Sequence, residues 1–235
     1  MDLSVIIPAF NEALRLGPTL QRVVDYLDRQ GFSYEVLVVD DGSSDATGEV
    51  ALAFASRRVR LLRQEVNRGK GAVVRIGVLA SEGEAVLLVD ADLSTPIEDL
   101  ERLLPRLPAA ELVLGSRAVE GSDILQHQPF YREMMGRTFN FIIQVLGVRG
   151  LRDTQCGFKL LDGEVARRLF AELRIQRFAY DVELVWLAQR RGYRVVEVGV
   201  RWTDSPASKV NPLTDSVRMF WDVLALRWRD FRSGP

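Results

Sequence analysis

The chain has 235 residues, of which 47% are hydrophobic and 27% are charged, a globular composition that excludes the disordered, collagen-like and coiled-coil classes. Thirty-one Lys and Arg residues against 32 Asp and Glu residues give a formal net charge of -1, so no basic excess indicates a nucleic-acid partner. The single cysteine, Cys156, can form neither an internal disulfide nor a cysteine-rich metal site, so a reducing, cytoplasmic setting is expected.

The N-terminal half alternates short β-branched runs with segments of helical spacing. The runs predict strands at residues 4–8, 34–40, 59–62, 85–90 and 111–115. The spacing between them predicts helices at residues 20–27, 47–54, 72–79 and 97–107. Gly17-Pro18 and Gly31 are predicted to begin and end the first helix, and Pro96 to begin the fourth. This alternation is typical of an α/β fold with a Rossmann-like, mostly parallel sheet flanked by helices.

The C-terminal half is less regular. Its pattern predicts helices at residues 132–146, 163–170 and 182–191, strands within 154–161 and at 194–202, and a loop at 203–212. The tail at 212–235 carries arginines beside an apolar stripe at helical spacing. The stripe consists of Val217, Phe220, Trp221, Leu224, Trp228 and Phe231. We expect an amphipathic helix that either lies on a membrane or packs on the sheet. Residues 1–211 are expected to form one domain.

The sequence predicts neither export nor a membrane span. Met1-Asp2-Leu3-Ser4 leads directly into an apolar run without a basic segment before it, unlike a signal peptide. The apolar runs at 36–39 and 85–89 are far shorter than the roughly 20 residues that a spanning helix needs.

Polar residues follow four predicted strands directly. These tips are Pro8-Ala9-Phe10-Asn11-Glu12, Asp40-Asp41-Gly42-Ser43, Asp90-Ala91-Asp92 and Gly115-Ser116-Arg117. Asp and Ser are common helix caps, which would explain any one tip. The carboxyl ends of parallel strands share one sheet edge, where ligands of open α/β sheets bind, so the four tips together predict a binding site.

The tip Asp90-Ala91-Asp92 predicts a site for Mg²⁺ or Mn²⁺. Two carboxylates that leave a strand two residues apart can turn toward one point, and carboxylate oxygen is the ligand that these ions prefer. An ion held there could neutralise the charge that develops on a leaving nucleoside diphosphate.

Basic residues complement this anionic tip. Lys70 and the three arginines Arg117, Arg132 and Arg137 are candidates for phosphate binding, because a guanidinium matches the geometry of phosphate oxygens. Neither a P-loop nor a Gly-x-Gly-x-x-Gly motif is present. His127 is expected to be a loop residue, and Cys156 a small buried residue and not a nucleophile.

Together with Asp153-Thr-Gln-Cys-Gly157-Phe158-Lys159 and Phe178-Ala-Tyr-Asp181-Val-Glu183-Leu184, the four tips resemble the family 2 glycosyltransferases of GT-A fold. Within that family the chain is similar to the polyprenyl-phosphate sugar transferases, with the dolichyl-phosphate glucosyltransferases closest and the mannosyltransferases next. The resemblance extends from Leu3 to about Asn211.

The resemblance implies a nucleotide-sugar half at 1–117 and an acceptor half at 118–211. Pro8, Ala9 and Glu12 would border the nucleoside, with Asn11, Asp41 and Ala91 beside them. Asp40 would bind the base, and Asp90 with Asp92 would hold the metal. Arg117 and Arg132 would receive the lipid phosphate, and Ser208-Lys209 would close over the diphosphate. The 178–184 segment favours UDP-glucose over GDP-mannose as the donor.

The acceptor decides whether the reaction needs a base. A phosphomonoester oxygen is already anionic near neutral pH, since its second pKa is about 6, whereas a hydroxyl acceptor would need a carboxylate in contact. Asp181 is the candidate base, with a helix cap as the alternative role. With Asp92 and Arg117 it completes the candidate catalytic residues. We expect a single displacement with inversion, giving a β-linked sugar.

Two other functions stay open at this point. A glycosyltransferase with a hydroxyl acceptor would keep the same donor residues, and a receiver-type signalling module would also gather aspartates and a lysine at strand ends. A lipid acceptor implies a peripheral location at the inner face of a membrane, and is compatible with a partner membrane subunit.

Overall fold

A seven-stranded sheet organises the chain, of which the computed structural model describes residues 1–55, 58–126, 148, 150–204, 218–226 and 228. Its strands, in chain order, are β1 (Leu3–Ala9), β2 (Tyr34–Asp40), β3 (Val59–Arg63), β4 (Ala85–Leu88), β5 (Leu112–Ser116), β7 (Lys159–Asp162) and β8 (Val195–Gly199). They lie in the order β3-β2-β1-β4-β7-β5-β8. A separate parallel pair is formed by β6 (Asp123–Gln126) and β9 (Arg201–Thr203).

Helices cover both faces of the sheet. They are α1 (Ala13–Leu27), α2 (Thr47–Ala53), α3 (Lys70–Leu79), α4 (Leu100–Leu103), α5 (Gly163–Glu172) and α6 (Tyr180–Arg190). Short 3-10 turns at Ile97–Asp99 and Leu104–Ala109 flank α4. Residues 218–226 form a further helical segment, the C-terminal helix.

The continuous apolar strands are buried on both faces because alternate side chains of a strand point in opposite directions. In β1, Val5 and Ile7 join one core cluster, and Ile6 joins the cluster on the other face. In β2, Val38 and Leu37 divide in the same way. The predicted two-sided burial is therefore confirmed.

Strand direction brings the four polar tips to one edge, as predicted. β1 runs parallel to both β2 and β4, while β7 runs antiparallel to both β4 and β5, so β4 and β5 share one direction. β7 therefore begins at the edge where its neighbours end. Its first residue, Lys159, and the loop before it thus reach the same edge as the tips.

The first helix begins earlier than the sequence indicated. α1 starts at Ala13 because the backbone N–H groups of Arg15 and Leu16 both donate to the carbonyl of Glu12, at 2.9 Å. Pro18 lies inside the helix on an exposed position, so the prediction that Gly17-Pro18 begins it is wrong. The helix also ends at Leu27, before Gly31.

Two further elements differ from the predictions. The single strand expected at 194–202 is divided at buried Val200 into β8 and β9, which belong to different sheets. The helix expected at 97–107 is a one-turn α-helix between two 3-10 turns. Pro105 and Pro108 lie in the second turn, where each removes a backbone donor that an α-helix would use.

The C-terminal helix packs on the domain through a face that the sequence analysis did not identify. Met219 and Val223 pack in the core cluster that contains Leu151 and Val182, whereas Trp221 and Trp228 of the predicted stripe are 64% and 66% exposed. The helix predicted at 132–146 lies outside the described residues, as do positions 205–212 of the loop predicted at 203–212. Among the described helices, none has the length and hydropathy that a membrane span requires.

Gly77 tests how closely α3 packs on the sheet. A Cβ atom there would lie 2.5 Å from Cγ2 of Ile6 and 2.9 Å from Cγ2 of Val39. We expect Gly77→Ala to lower the free energy of unfolding by about 1–3 kcal/mol, because overpacking forces neighbouring side chains apart. Urea denaturation measures this, with Gly31→Ala as control, since nothing lies within 4 Å of a Cβ there. Equal stability of the two variants would contradict the close packing.

Candidate active site

The tips of β1 and β2 hold each other through side-chain hydrogen bonds. The backbone N–H of Asn11 donates to Oγ of Ser43 at 2.8 Å, and Oδ1 of Asn11 accepts from the N–H of Ser44 at 2.8 Å. Asn11 has a φ of 54°, in the left-handed region that asparagine tolerates better than most residues. Pro8 and Ala9 precede it at the end of β1, in register with Val39 and Asp40.

Asp40 and Asp41 support two loops, the one that follows β2 and the one that precedes α3. Asp40 is fully buried and accepts the N–H of Ser43 at 2.9 Å, so it presents no surface to a nucleoside in this conformation. Asp41 accepts the N–H groups of Arg68 and Gly69 at 2.7 and 2.8 Å. Burial raises the pKa of Asp41, although these two hydrogen bonds oppose the rise. Asp41 thereby fixes the start of α3, where Lys70 lies.

Lys70 binds the first carboxylate of the Asp90-Ala91-Asp92 tip. Its Nζ lies 2.6 Å from Oδ1 of Asp90. Burial disfavours both charges, but the pair outweighs it, so the pKa of Lys70 is raised and that of Asp90 is lowered. Lys159 and Arg117 contribute to the lowered pKa of Asp90. A Cβ atom on Gly157 would lie 2.0 Å from Oδ2 of Asp90, so the backbone of the loop before β7 packs directly against this carboxylate.

The second carboxylate of the tip is held by a tight turn. Oδ1 of Asp92 accepts from the N–H and the hydroxyl of Ser94, at 3.0 and 2.9 Å. Leu93 between them has a φ of 48°, a strained conformation for this residue type of the kind that concentrates at functional sites. The carbonyl of Ala91 accepts from Oγ1 of Thr19 at 2.7 Å, which ties the tip to α1.

Glu12 and Arg15 connect the β1 tip to Asp92. Arg15 donates from Nε and Nη2 to the two carboxylate oxygens of Glu12, at 2.6 and 2.7 Å. Its Nη1 lies 3.6 Å from Oδ2 of Asp92. Both carboxylates of the tip therefore face a basic side chain, Lys70 on one side and Arg15 on the other.

Asp181 forms a buried ion pair with Lys159, the first residue of β7. Oδ1 of Asp181 lies 2.6 Å from Nζ of Lys159, which is fully buried and also donates to the carbonyl of Cys156. Asp181 lies in the first turn of α6, where Ala179 is the capping residue and no side-chain capping bond forms. The alternative role of Asp181 as a helix cap is therefore wrong, since Asp181 pairs with Lys159 instead.

Arg117 is held on two sides. Its Nε and Nη2 donate to the two oxygens of Asp153, at 2.7 and 2.9 Å, and its Cζ lies 5.3 Å from the centre of the Trp202 ring. The carboxylate of Glu197 accepts the N–H groups of Arg152 and Asp153, both at 2.7 Å, and so fixes the loop that carries Asp153. Burial opposes the charge on Asp153, but Arg117 lowers its pKa to about 2.

The structure adds residues to the site that the sequence analysis gave no role. These are Arg15, Asp153, Lys159, Glu197 and Trp202. Asp153 and Lys159 stand in a segment that carried the family resemblance, but Arg15 lies in the part of α1 that precedes the predicted start of this helix. Trp202 lines a cleft together with Asp90, Ser94 and Gly157. The candidates Arg132, Arg137, Ser208 and Lys209 lie outside the described residues, as does His127.

The donor set of the tip suits a divalent ion that is shared with a substrate. In the described ranges no three His, Cys, Asp or Glu residues form a metal cluster. Asp90 and Asp92 nevertheless offer two carboxylates that are 34% and 19% exposed and face basic groups. Mg²⁺ is commonly bound by one or two carboxylates while phosphate and water supply the other ligands. The pair therefore fits a metal bridged to a diphosphate.

Cys156 is buried, and burial raises the pKa of its thiol, as expected for a residue that is not a nucleophile.

Comparison of the sequence with known proteins identifies its family and its relatives. The model of the family described as Glycosyl transferase family 2 matches residues 4–170. The chain is 39% identical over 244 residues to the dolichyl-phosphate beta-glucosyltransferase of Mus musculus, covering 97% of this chain and 75% of that protein. It is 38% identical over 242 residues to the enzyme of the same name from Dictyostelium discoideum, covering 97% and 74%.

A solved structure supports the fold. Glucosyl-3-phosphoglycerate synthase from Mycobacterium tuberculosis, in complex with Mn²⁺, UDP and glucosyl-3-phosphoglycerate, superposes with a TM-score of 0.68 at 20% sequence identity. The likeness covers 95% of this chain and 77% of that chain. The expected GT-A fold is thereby confirmed.

The Asp153 ion pair predicts a pH-dependent contribution to stability. Because the pKa of Asp153 is lowered to about 2, its charged carboxylate stabilises the folded protein fully above the ordinary pKa near 4. This stabilisation is lost as the pH falls toward 2. We expect Asp153→Asn to lower the free energy of unfolding by about 2 kcal/mol at pH 7, and the difference from the native chain to shrink below about pH 4.

Urea denaturation between pH 7 and pH 3 measures this difference. Asp25→Asn on the exposed face of α1 is the control, and we expect a change of less than about 0.5 kcal/mol. A difference for Asp153→Asn that stays constant across this range would contradict the role of the ion pair.

Proposed function

Because the chain belongs to glycosyl transferase family 2, we propose that this glycosyltransferase moves glucose from UDP-glucose to a dolichyl or related polyprenyl phosphate. The names of its relatives, at 38% and 39% identity over nearly the whole chain, support the glucosyl group and the lipid acceptor. Membership of this family excludes the receiver-type signalling module considered from the sequence. GDP-mannose remains the second donor, which the experiment below distinguishes.

One observation carries the donor side of this proposal. Asp90 and Asp92 leave the sheet at the edge where four strand tips converge, and each faces a basic side chain at that edge. A divalent ion between them, Mg²⁺ or Mn²⁺, would neutralise the charge that develops on the departing UDP. Lys70, beside Asp90, lies where it could also meet a diphosphate oxygen. The Mn²⁺ and UDP bound by the Mycobacterium tuberculosis enzyme support this arrangement.

The remaining tip residues have supporting roles on the donor side. We propose that Pro8, Ala9 and Asn11 border the nucleoside, with Glu12 acting through Arg15. Asp41 positions Lys70 through the loop before α3. The hydrogen bond of Asp40 to the base stays a prediction that requires the side chain to become exposed.

The acceptor side depends on Arg117. Asp153 and Trp202 hold its guanidinium in one orientation, so a phosphate would meet a group that has already lost its conformational freedom. Arg132 and Arg137 are proposed to add positive charge from the sequence between β6 and β7. Ser208 and Lys209 are proposed to close on the diphosphate.

A phosphate acceptor needs no strong base, which suits the surroundings of Asp181. Its carboxylate is 7% exposed and paired with Lys159, so it is poorly placed to take a proton from a hydroxyl acceptor. We propose direct attack by the phosphate oxygen on the anomeric carbon with inversion, which gives a β-linked product. The role of Asp181 as a base would return if the acceptor were a hydroxyl.

The acceptor also defines the proposed location. A polyprenyl phosphate presents its phosphate at a membrane surface, so the enzyme has to meet that surface, and we propose peripheral binding at the inner, cytoplasmic face. A membrane partner subunit is compatible with this proposal.

A thermal-shift screen followed by a transfer assay tests the proposal. We expect UDP-glucose with Mn²⁺ or Mg²⁺ to raise the melting temperature more than GDP-mannose does, and Asp92→Asn to abolish the metal-dependent part of that shift. Transfer to a short polyprenyl phosphate should fall about 100-fold or more in Asp92→Asn, and anomeric NMR should show a β-linked product.

Asp25→Asn, an exposed carboxylate on α1, is the matched control and should behave as the native chain. An α-linked product would contradict inversion. Stabilisation by UDP-glucose that is independent of metal and survives in Asp92→Asn would contradict the metal site.

A further inference from the structure

Arg15 is a basic residue beside the Asp90-Ala91-Asp92 tip, and it belongs to none of the motifs above. It lies in the first turn of α1, with its guanidinium between Glu12 and Asp92. All three side chains are only partly exposed, at 23%, 12% and 19% respectively. The three charges therefore interact across a small volume that solvent screens incompletely.

The contacts of Arg15 with Glu12 and with Asp92 differ in kind. Toward Glu12 it makes a two-pronged, hydrogen-bonded pair at 2.6 and 2.7 Å. Toward Asp92 it lies at 3.6 Å, beyond hydrogen-bond distance, so this contact is electrostatic only. Glu12 thus holds the guanidinium, while Asp92 attracts it without binding it closely.

The contact with Asp92 falls on one particular oxygen. Oδ1 of Asp92 accepts both hydrogen bonds from Ser94, and it is Oδ2 that faces Arg15. A guanidinium remains charged at every physiological pH. Any cation that approaches Oδ2 therefore meets a permanent positive charge beside it.

We propose that Arg15 is the resident counter-ion of Asp92, that it competes with a divalent cation for this carboxylate, and that Glu12 sets the strength of the competition. This inference rests on the proposed function, which puts the metal at Asp90 and Asp92. Arg15 weakens binding of the bare ion, and the negative charge of a nucleoside diphosphate offsets the repulsion between ion and guanidinium. Metal and nucleotide consequently favour each other's binding, and by linkage the coupling is reciprocal.

The test is the affinity of the full chain for Mn²⁺ alone, measured by electron paramagnetic resonance of the free ion. We expect Arg15→Met to bind Mn²⁺ about three- to five-fold more tightly than the native chain, the range that a partly exposed charge pair supports. Glu12→Gln should bind Mn²⁺ more weakly, because the charge of Arg15 is then no longer shared with the Glu12 carboxylate and acts more strongly on Asp92. In the double variant most of the Glu12→Gln effect should disappear, since it acts through Arg15.

Two variants separate this role from a loss of charge or of structure. Arg22→Met removes a cation from the same helix, but its partner is Glu98, so Mn²⁺ affinity should stay the same. Arg15→Lys keeps the positive charge but loses the two-pronged pair with Glu12, so its Mn²⁺ affinity should not rise to that of Arg15→Met. Melting temperatures of all variants identify any that fail to fold.

A second titration with saturating UDP measures the coupling. In the native chain UDP should strengthen Mn²⁺ binding by a larger factor than in Arg15→Met, because the variant has less repulsion to relieve. The two titrations give independent readings of the same competition without any measurement of turnover.

The outcomes distinguish this inference from the proposed function. If Asp92→Asn abolishes Mn²⁺ binding but Arg15→Met binds no more tightly than the native chain, the competition is refuted and the metal site stands. If Asp92→Asn binds Mn²⁺ as the native chain does, the metal lies elsewhere and both ideas are refuted.

Discussion

Charge pairing at one edge of the sheet is the constraint on which the site depends. Four carboxylates converge there, and each has a basic partner: Asp90 with Lys70, Asp92 with Arg15, Asp153 with Arg117, and Asp181 with Lys159. Buried charges without partners would cost several kcal/mol each, so the pairs allow polar groups to occupy this edge. They also hold the groups in place before any substrate arrives, which lowers the cost of binding it.

The reversed strand β7 makes this arrangement possible. Because it runs against β4 and β5, its N-terminal end delivers Gly157 and Lys159 to the same edge as the carboxyl ends of its neighbours. Gly157 then packs its backbone against Asp90, and Lys159 forms an ion pair with Asp181. An all-parallel sheet would place the start of this strand at the opposite edge. The reversed strand thus lies between the tips of β1, β2 and β4 on one side and the tip of β5 on the other.

The sequence was most informative where structure is local. Continuous apolar runs predicted β1, β2 and β4, and their tips predicted the edge and the Asp90-Ala91-Asp92 pair. Prediction failed where partners are distant or where two signals conflict. Pro18 indicated a helix start near residue 17, whereas hydrogen bonds to the Glu12 carbonyl begin the helix at Ala13. Arg15 was therefore not recognised as a helical residue beside the site. The partner of Asp181, 22 positions away at Lys159, follows only from strand order. Burial of Asp40 likewise depends on packing that no local pattern records.

The most direct measurement is anomalous diffraction at the manganese edge from crystals soaked with Mn²⁺ and UDP. We expect one strong peak within about 2.1 Å of an oxygen of Asp92, with the diphosphate of UDP on the same ion and the uracil toward the tips of β1 and β2. A peak away from Asp90 and Asp92, or UDP bound at another edge of the sheet, would contradict it.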